Sequence, residues 1–417
     1  MRENFCPQNP VFVFNCSFNG LAIIQELGLK GIEVYALDSV RDVGTFSRYA
    51  KFKKCPDPIT DEEKFIKFIE QLASRLCSPP VLFPTNDHWA MAISKHKERL
   101  MSVSIPCVAS WRAMKTLIFK DEFYKWGALQ NYPVPKTWDI NDINKIKNFP
   151  IVAKPKYRRI SSIEQGTKNL LWEMDKNRLV VINSKKELDT FLFERKKIIS
   201  HFIFQEYIKG MANQMYTIGI YADDKSDIKA IFTGRKIRGN PPDIGDCIVG
   251  ESYNLPYQLT EMVKEIVRKI RYSGIAEFEF KKDAQTQEFK LIEINPRSWS
   301  WIGITPYCNV SIPWIAYTDL TDFKKLKNPI ISNVPPGSVK YIKVLQDFLN
   351  CLFFYKKIGY ADWSLNFNEW KKSIVATKKI YAEFSNKDYM VALYAVYSLT
   401  KSLIIDFLKK IIEKIIH

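Results

Sequence analysis

Two acidic segments near the middle of the chain carry the side chains best suited to binding a metal ion. They are IAEFEF at 275–280 and KLIEINPR at 290–297. Side chains alternate across a β-strand, so both glutamates of the first segment share one face, and Glu293 and Asn295 share a face of the second. A polar turn separates the two segments. An antiparallel hairpin would therefore bring Glu279, Glu293 and Asn295 together at one end.

The chemistry that such a cluster supports is divalent-cation binding. Burying two carboxylates side by side is unfavourable unless a cation lies between them. Oxygen ligands, two of them anionic, suit Mg²⁺, which usually takes its remaining ligands from water and substrate phosphates. Arg297, just beyond the asparagine, is placed to meet a phosphate or an oxyanion. The alternative is an ordinary amphipathic hairpin with a solvated acidic face. In either case, alternation places Leu291 on the acidic face and Ile292 opposite it.

Upstream of this hairpin, two lysines and a strand edge complete a candidate site for an anionic nucleotide. Lys120 opens the segment KDEFYK, on a predicted helix over 111–130. Lys154 lies in the apolar strand segment PIVAKP, where a lysine needs an anionic partner or a route to water. The strand FQEYIKG at 204–210 begins apolar and ends polar, so its edge can offer backbone groups to a purine. In chain order, the sequence predicts two cations, a purine-binding edge and then the acidic hairpin.

The elements that must position these residues follow an α/β pattern. A strand at 11–14, a helix at 19–27 and a second strand at 31–38 are predicted to form a βαβ unit. Its first turn lacks the G-x-G-x-x-G pattern, so a dinucleotide site is not expected. A further buried strand, 81–83, ends shortly before Asp87. This aspartate is a candidate substrate residue, and helix N-capping is its alternative role.

Composition limits the class of protein. The chain has 417 residues, of which 46% are hydrophobic, and this is ample for several globular domains. Its formal net charge of +17 favours anionic partners such as nucleotides, acidic sugars or an anionic membrane surface. The basic residues are distributed rather than clustered with aromatic residues, so nucleic acid is not an expected partner. The four histidines and eight cysteines show neither zinc-site spacing nor a disulfide framework. A cytoplasmic protein with reduced thiols is predicted, without a signal peptide or a transmembrane segment.

Taken in order, these motifs resemble those of ATP-grasp ligases and, more narrowly, the carboxylate–amine ligases that include the D-aspartate ligases. The resemblance covers roughly residues 10–320. It implies two phosphate-binding lysines, an adenine-binding hinge, three ligands to Mg²⁺ (with Mn²⁺ as the alternative ion), and an arginine that binds phosphate or the reaction intermediate. In that order the positions are Lys120 and Lys154; Gln205, Glu206 and Ile208; Glu279, Glu293 and Asn295; and Arg297.

The narrower resemblance extends to the segment FTGRKIR at 232–238 and to the turn that follows it. It implies that Arg235 and Lys236 face the phosphates and the acyl substrate, with Arg235 in a catalytic role. For Lys236 and Arg238 a solvated strand end is the alternative. Asp243 in the turn is a candidate for binding the incoming amine, and a simple turn aspartate is the alternative.

One departure from the family pattern concerns the loop after Lys154. ATP-grasp ligases usually close a glycine-rich loop over the phosphates, whereas the segment 156–167 contains one glycine and three cations. Arg158 and Arg159, with the two serines that follow, are expected to cover the phosphates through their side chains. A disordered surface loop is the alternative.

The resemblance implies an α/β fold, α+β in the nucleotide-binding part, with ATP between two lobes. Four regions are expected. They are an N-terminal Rossmann-like pre-ATP-grasp domain (1–112), a small ATP-grasp lobe with a linker helix (113–208), a large lobe with the Mg²⁺-binding hairpin (209–330), and a helical C-terminal region (331–417).

The implied activity is that of an ADP-forming ligase, which joins a carboxylate to an amine through an acyl phosphate. The carboxylate is expected to be a small molecule or to be linked to a glycan, and the implied setting is the synthesis of the cell envelope or of a surface polysaccharide. An ATP-binding scaffold without turnover is the alternative function.

A separate hypothesis concerns the end of the chain. Isoleucines and a leucine recur at helical spacing over 404–416, with lysines between them. Such a face predicts packing against the core or against a second subunit of a homodimer. The alternative is peripheral contact with the anionic inner face of a membrane.

Overall fold

Three β-sheets organise the part of the chain that the structure describes. The computed structural model describes residues 9–156, 179–243, 245–385 and 387–401. The first sheet is parallel and N-terminal, the second is small and antiparallel, and the third is large and mostly antiparallel. Helices cover the sheets throughout. The predicted α/β class is therefore confirmed.

The N-terminal sheet contains five parallel strands in the order β3-β2-β1-β4-β5. Both of its faces are covered by apolar side chains of the surrounding helices, which explains why β1 and β4 are apolar and wholly buried. The predicted βαβ unit is confirmed. The strand order reverses between β1 and β4, and this places a crevice at their carboxyl ends. The strands are Val11–Phe14 (β1), Val34–Asp38 (β2), Ala50–Lys54 (β3), Val81–Pro84 (β4) and Ile105–Pro106 (β5); the helices are Phe18–Leu29 (α1), Glu62–Ala73 (α2), Asp87–Lys95 (α3) and Lys97–Leu100 (α4).

Two helices, Trp111–Ile118 (α5) and Lys120–Leu129 (α6), occupy the segment predicted as one helix. They are separated at Phe119, whose backbone is extended (φ −80°, ψ 112°). The single-helix prediction is wrong because this extended residue interrupts the helix. Met114 of α5 packs with the N-terminal sheet, whereas Leu117 of α5 and Phe123 of α6 both pack with the third sheet. Lys120 therefore stands at the start of a helix.

The second sheet has four antiparallel strands in the order β6-β9-β7-β8. One face packs against the helix Lys185–Glu194 (α7) through alternate residues of β7 and β9. Alternation then turns Lys154 of β7 and Gln205 of β9 to the opposite face. That face is the one available for a ligand. The strands are Thr137–Trp138 (β6), Ile151–Pro155 (β7), Val180–Ile182 (β8) and Phe202–Glu206 (β9).

The third sheet has eight strands in the order β14-β13-β10-β11-β12-β16-β17, and β15 pairs with β11. The helix Tyr257–Ile270 (α8) covers one face, and the helix Ile312–Leu320 (α9) packs with Trp299 and Trp301 on the other. The predicted acidic hairpin is present as β13 and β14. The strands are Met215–Ala222 (β10), Ile228–Asn240 (β11), Asp246–Ser252 (β12), Gly274–Lys282 (β13), Phe289–Asn295 (β14), Ile330–Ile331 (β15), Val339–Ile342 (β16) and Lys378–Tyr381 (β17).

The C-terminal region contains helices, as predicted, but it also contributes strands to the third sheet. β16 pairs with β12, and β17 pairs with β16. The sequence did not reveal these strands because each is short and carries lysine (VKYI and KKIY), so neither stands out as the apolar run that marks β1 or β4. The helices are Val344–Leu349 (α10), Tyr355–Lys357 (α11), Phe367–Ser373 (α12) and residues 389–401 (α13).

Short helical turns complete the described elements. Six are 3₁₀ helices and one is a π-helical turn: Val43–Phe46, Ile140–Lys145, Ile199–His201, Ala212–Gln214, Ile302–Cys308, Ala361–Trp363, and the π-helical turn Asn350–Phe354. In the described part of the chain, no helix is both long and apolar enough to cross a membrane. The predicted amphipathic face at 404–416 and the predicted phosphate-covering residues Arg158 and Arg159 lie outside the described residues.

Candidate active site

A cavity of about 340 Å³ lies between the ligand-facing side of the second sheet and the hairpin of the third. Of the site residues predicted from the sequence, it brings together both lysines of the phosphate site, the whole predicted hinge and the two glutamates of the hairpin. Its lining includes Lys120, Tyr124, Lys154, Gln205, Glu206, Tyr207, Ile208, Asp243, Glu279, Lys281, Ile292 and Glu293.

The register of the hairpin decides which acidic side chains meet. Glu279 lies opposite Glu293, and Glu277 lies opposite Asn295. One extra residue, Ile292, then bulges out of β14, so that Phe280 pairs with Leu291. The expectation that Leu291 shares the acidic face is therefore wrong. Leu291 is fully buried in the apolar core, and Ile292 lines the cavity.

Each of the two opposed carboxylates is neutralised by a lysine. The Lys120 ammonium donates to Glu293 Oε1 at 2.5 Å, and the Lys236 ammonium donates to Glu279 Oε1 at 2.8 Å. Lys236 is 5% exposed and lies on the face of β11 that carries it toward the hairpin, so the solvated strand end is excluded for this residue. The structure thus joins cations from a helix and a strand to the two predicted metal ligands.

Asn295 and Arg297 lie at the end of the hairpin that faces the N-terminal sheet. The Asn295 amide donates to Glu277 Oε2 at 3.0 Å, and its Oδ1 accepts from Arg297 at 2.9 Å. Arg297 also donates to Asp87 Oδ1 at 2.7 Å, next to the crevice at the carboxyl end of β4. Asn86, rather than Asp87, caps α3, so the N-capping prediction for Asp87 is wrong.

Glu277 has a supporting position in this group. It is 3% exposed and accepts a hydrogen bond from Thr217 at 3.0 Å. Burial, followed by repulsion from Glu279, raises its pKa above the usual range. Because its second oxygen holds the Asn295 amide nitrogen, the Asn295 carbonyl is turned toward Arg297. Glu277 therefore orients the asparagine.

The oxygen donors at this end of the hairpin fit Mg²⁺. Glu279 and Glu293 face each other in register, and Asn295 Oδ1 has a second lone pair beside its bond from Arg297. Within the described residues, no group of three or more histidine, cysteine or acidic side chains converges on one point. Two carboxylates and one amide oxygen suit Mg²⁺, which completes its coordination with water and phosphate, better than an ion that needs a full protein cage.

Lys154 is the most strongly perturbed cation of the site. Burial, followed by repulsion from Lys120, lowers its pKa to about 7. Its ammonium donates to Gln205 Oε1 at 2.8 Å, and the Gln205 amide donates in turn to Thr137 Oγ1 at 2.9 Å. A neutral amide satisfies one of its hydrogen bonds but does not compensate its charge. The site is therefore arranged to accept an anion at Lys154.

The predicted hinge lines the cavity, and its side chains have different environments. Gln205 is 1% exposed and accepts a hydrogen bond from Lys154. Glu206 Oε1 accepts from the Lys136 amide at 2.9 Å, which ties the hinge to the segment before β6. Ile208 is buried and contributes apolar surface. This combination of an apolar side chain and a strand edge is suited to a flat heterocycle.

Arg235 and Arg238 lie away from the cavity lining. Arg235 points to the face of β11 that carries α8, where it donates to Glu251 Oε1 at 2.5 Å and lies 4.7 Å from the Tyr253 ring. Its catalytic assignment stays a prediction that this geometry does not support. Arg238 is buried against Asp347, with bonds of 2.6 and 2.8 Å, so a solvated strand end is wrong for it and it does not face the cavity.

Sequence reasoning missed two cavity residues that simple periodicity could have found. Tyr124 lies one helical turn after Lys120, on the same face of α6, and its hydroxyl donates to the Ile292 carbonyl at 2.5 Å. Lys281 lies two residues after Glu279, on the same face of β13. Burial lowers the Lys281 pKa to about 8. Both follow from the residues that the prediction already singled out.

No family model matches the chain. A D-aspartate ligase from Enterococcus faecium (strain Aus0004) is 24% identical over 286 residues, which are 64% of this chain and 65% of that protein. The match thus spans just under two thirds of the relative's length. The ADP complex of N5-carboxyaminoimidazole synthetase from Staphylococcus aureus superposes with a TM-score of 0.61 at 15% identity, covering 85% of this chain and 88% of that one. An L-amino acid ligase from Bacillus licheniformis gives 0.54 at 14% identity, covering 76% and 75%. The predicted ATP-grasp fold is confirmed, and so is the resemblance to a D-aspartate ligase.

Proposed function

We propose that this chain is an ATP-dependent carboxylate–amine ligase that releases ADP. One observation carries the proposal. Glu279 and Glu293 face each other across the hairpin, each is paired with a lysine, and Lys154, whose pKa is lowered to about 7, lines the same cavity. This is a site for a polyphosphate with a divalent cation. The sequence likeness to a D-aspartate ligase and the fold of an L-amino acid ligase support the choice of reaction.

In the proposed reaction, the residues act by placing charges. Lys120 and Lys154 would bind ATP phosphates, and the hinge Gln205–Ile208 would receive the adenine. Glu279, Glu293 and Asn295 would hold Mg²⁺, which neutralises the charge that develops on the phosphates. A carboxylate oxygen of the substrate attacks the γ-phosphorus and the bond to the β,γ-bridging oxygen breaks, which yields an acyl phosphate and ADP.

The second step forms the amide. The amine nitrogen attacks the acyl carbon, and phosphate leaves as the amine loses a proton. Arg297 would stabilise the oxyanion of the tetrahedral intermediate, because it lies beside Asn295 at the end of the hairpin that is farthest from the hinge. Asp87 holds the Arg297 guanidinium in this orientation through a bond of 2.7 Å. The proposal assigns no step to Arg235.

The test is an ADP-release screen that pairs carboxylates with amines. The carboxylate panel includes D-aspartate and L-amino acids, because relatives of this chain are named for them. We expect ADP only when an acid and an amine are both present, and we expect the Glu293→Gln variant to release none. ADP binding without turnover for any pair would favour the ATP-binding scaffold. Undiminished turnover in Glu293→Gln would show that the metal-ligand assignment is wrong.

The cellular location and the biosynthetic role of the enzyme are proposed from the sequence alone. The amphipathic pattern over 404–416, with its lysines, supports peripheral contact with an anionic inner membrane face and a role in envelope or surface-glycan synthesis. Co-sedimentation with vesicles that contain anionic lipid would test it. Full-length protein is expected to sediment and a chain ending at residue 401 is not. Equal sedimentation of the two would exclude the contact.

A further inference from the structure

The helix α13 is apolar on the side that faces solvent. Residues 389–400 contain no charged side chain. Five apolar side chains of this stretch are 43–64% exposed, and they recur at steps of three and four residues: Tyr389, Met390, Leu393, Val396 and Tyr397. Such spacing places them along one side of the helix. A helix that is apolar on all sides is usually covered on all sides, so a partner outside the described residues is indicated for this face.

The opposite side of α13 packs against the segment that follows β2, and this contact holds the helix in place. The Tyr394 ring stacks on Phe46, with the ring centroids 4.1 Å apart. Asp388, which precedes the helix and is fully buried, accepts hydrogen bonds from the Ser47 hydroxyl at 2.6 Å and from the Arg48 amide at 3.0 Å. A carboxylate held by two donors fixes the start of the helix. The apolar face therefore has a fixed direction relative to the N-terminal sheet.

Exposed cations lie beside the apolar face. Two segments meet at this helix, 41–48 and 387–401, and their exposed charged residues are all cations: Arg41, Arg48, Lys387 and Lys401. Their acidic residues are not exposed, because Asp42 caps the turn that follows it and Asp388 is buried. The charge beside the apolar face is therefore positive.

This positive charge indicates which partner covers the face. Two copies of the chain placed face to face would bring their cations together, and like charges opposed at an interface cost free energy. An anionic lipid surface attracts the same cations and accepts the apolar side chains below its headgroups. Such a surface also suits Tyr389 and Tyr397, because a tyrosine places an apolar ring and a polar hydroxyl at the boundary between lipid and water.

The sequence beyond α13 continues the apolar pattern of the exposed face. Steps of three and four residues from Leu393 lead to positions 397, 400, 404, 408, 411 and 415. All of these except Thr400 are apolar, and the lysines of the stretch occupy other positions. The amphipathic pattern over 404–416 is therefore in phase with the exposed face of α13.

We propose that the exposed face of α13, with its cations, docks on a bilayer that contains anionic lipid. The inference rests on the membrane contact proposed for residues 404–416, and it is independent of the ligase reaction. It adds a second point of attachment, which is part of the folded protein. A single weak attachment gives only marginal and reversible binding, whereas two together give stable binding. Both are therefore required, which agrees with the loss of sedimentation expected for a chain that ends at residue 401.

Docking through α13 would turn one edge of the N-terminal sheet toward the lipid. Because β1, β2 and β4 are parallel, their carboxyl ends share that edge. The segment that holds α13 follows β2, and Asp87, which holds Arg297, follows β4. The proposed site of amide formation is therefore on the lipid-facing edge, and this favours a substrate that is carried on a lipid.

The test is the sedimentation of full-length protein with vesicles of phosphatidylcholine and phosphatidylglycerol in equal parts, without nucleotide. Leu393→Asn should lower the partition coefficient by about tenfold or more, because a polar side chain replaces a leucine that enters the lipid. Arg48→Gln should lower it by about fivefold, and this loss should vanish at high salt. Leu129→Asn changes a leucine on α6 that is 71% exposed, so it is the matched control and should bind like the wild type.

The outcomes separate this inference from the other proposals. If the wild type and Leu393→Asn sediment alike, α13 is not a docking face, although the contact of residues 404–416 stands. Equal sedimentation with vesicles of phosphatidylcholine alone would overturn the role of the cations. A dimer in analytical ultracentrifugation that Leu393→Asn dissociates would show that a second copy covers the face instead. If the wild type does not sediment, both membrane proposals fail, and ADP release from soluble acids and amines still tests the ligase.

Discussion

Two cations that lie two residues apart on β11 have opposite roles. Lys236 donates to Glu279 at 2.8 Å, and Arg238 donates to Asp347 at 2.6 and 2.8 Å. Their exposed fractions are 5% and 4%. Lys236 belongs to what we call the cavity cluster, the group Lys120, Lys154, Lys236, Glu279 and Glu293, in which Lys236 reaches the cavity through its bond to Glu279. Arg238 belongs to what we call the staple, the group Arg238, Asp347, Cys351 and Trp370 that joins β11 to the C-terminal region.

The staple and the cavity cluster differ in how completely their charged side chains are hydrogen-bonded and neutralised. In the staple, both Asp347 oxygens accept from Arg238, and Oδ2 also accepts from the Trp370 indole at 2.8 Å. In the cavity cluster, the pKa of Lys154 is lowered to about 7 because burial, followed by repulsion from Lys120, outweighs the attraction of Glu293 and Glu279. A buried ion pair by itself therefore does not mark a functional site. Incompletely compensated charge beside a cavity does.

The largest effect is expected in the staple. Asp347→Ala leaves the Arg238 guanidinium buried without its carboxylate, which should lower the free energy of unfolding by about 3–5 kcal/mol. Denaturant unfolding measures this change. Asp189→Ala, which breaks an exposed pair with Lys185, is the matched control and should have little effect. Similar losses in the two variants would remove the distinction between buried and exposed pairs in this chain.

The next effect concerns the cavity cluster and should appear in turnover. Glu279→Gln removes one proposed metal ligand, and ADP release should fall on the order of 10²- to 10³-fold. The amide oxygen can still accept from Lys236, so the free energy of unfolding should change less than in Asp347→Ala. Both quantities are measured on the same preparation. A stability loss as large as that of the staple variant, with turnover retained, would make Glu279 a structural residue.

A smaller effect should distinguish the two regions by pH. Phosphate binding favours the charged form of Lys154, whose pKa before binding is about 7. Above pH 7, nucleotide binding must therefore be accompanied by protonation of Lys154 from solvent. ADP affinity should then fall by up to about tenfold per pH unit. Calorimetry in buffers of different ionisation enthalpy would measure the proton uptake. Lys154→Met should abolish this component, and an identical pH dependence in that variant would refute it.

The smallest effect is expected for a single bond of the staple. Trp370→Phe removes the indole donor to Asp347 while Arg238 remains paired with it, so the free energy of unfolding should fall by about 1 kcal/mol. ADP affinity should not change. Denaturant unfolding and calorimetry measure the two quantities. A clear loss of ADP affinity would show that the staple also transmits its geometry to the cavity.

Local patterns predicted much of the candidate site. The alternation in two short segments predicted the hairpin, and the chain order of Lys120, Lys154 and the hinge predicted which residues meet in the cavity. Register was less accessible, because the bulge at Ile292 moves Leu291 into the core. The face to which Arg235 points was also not accessible. The face to which Arg235 points depends on which elements pack on each side of β11, and those elements are distant in the chain.

The sequence by itself determined the fold class and the hairpin and indicated the kind of ligand that we propose, because alternation, helical spacing and residue chemistry are local properties. Only the tertiary structure decided which cation pairs with which carboxylate. Lys236 and Arg238 read alike in the sequence, yet one partner is 43 residues away and the other 109. Likewise, only the packing of the C-terminal region against 239–243 brings Tyr360 to Asp243. Pairing of buried charges depends on long-range geometry, and local patterns do not encode it.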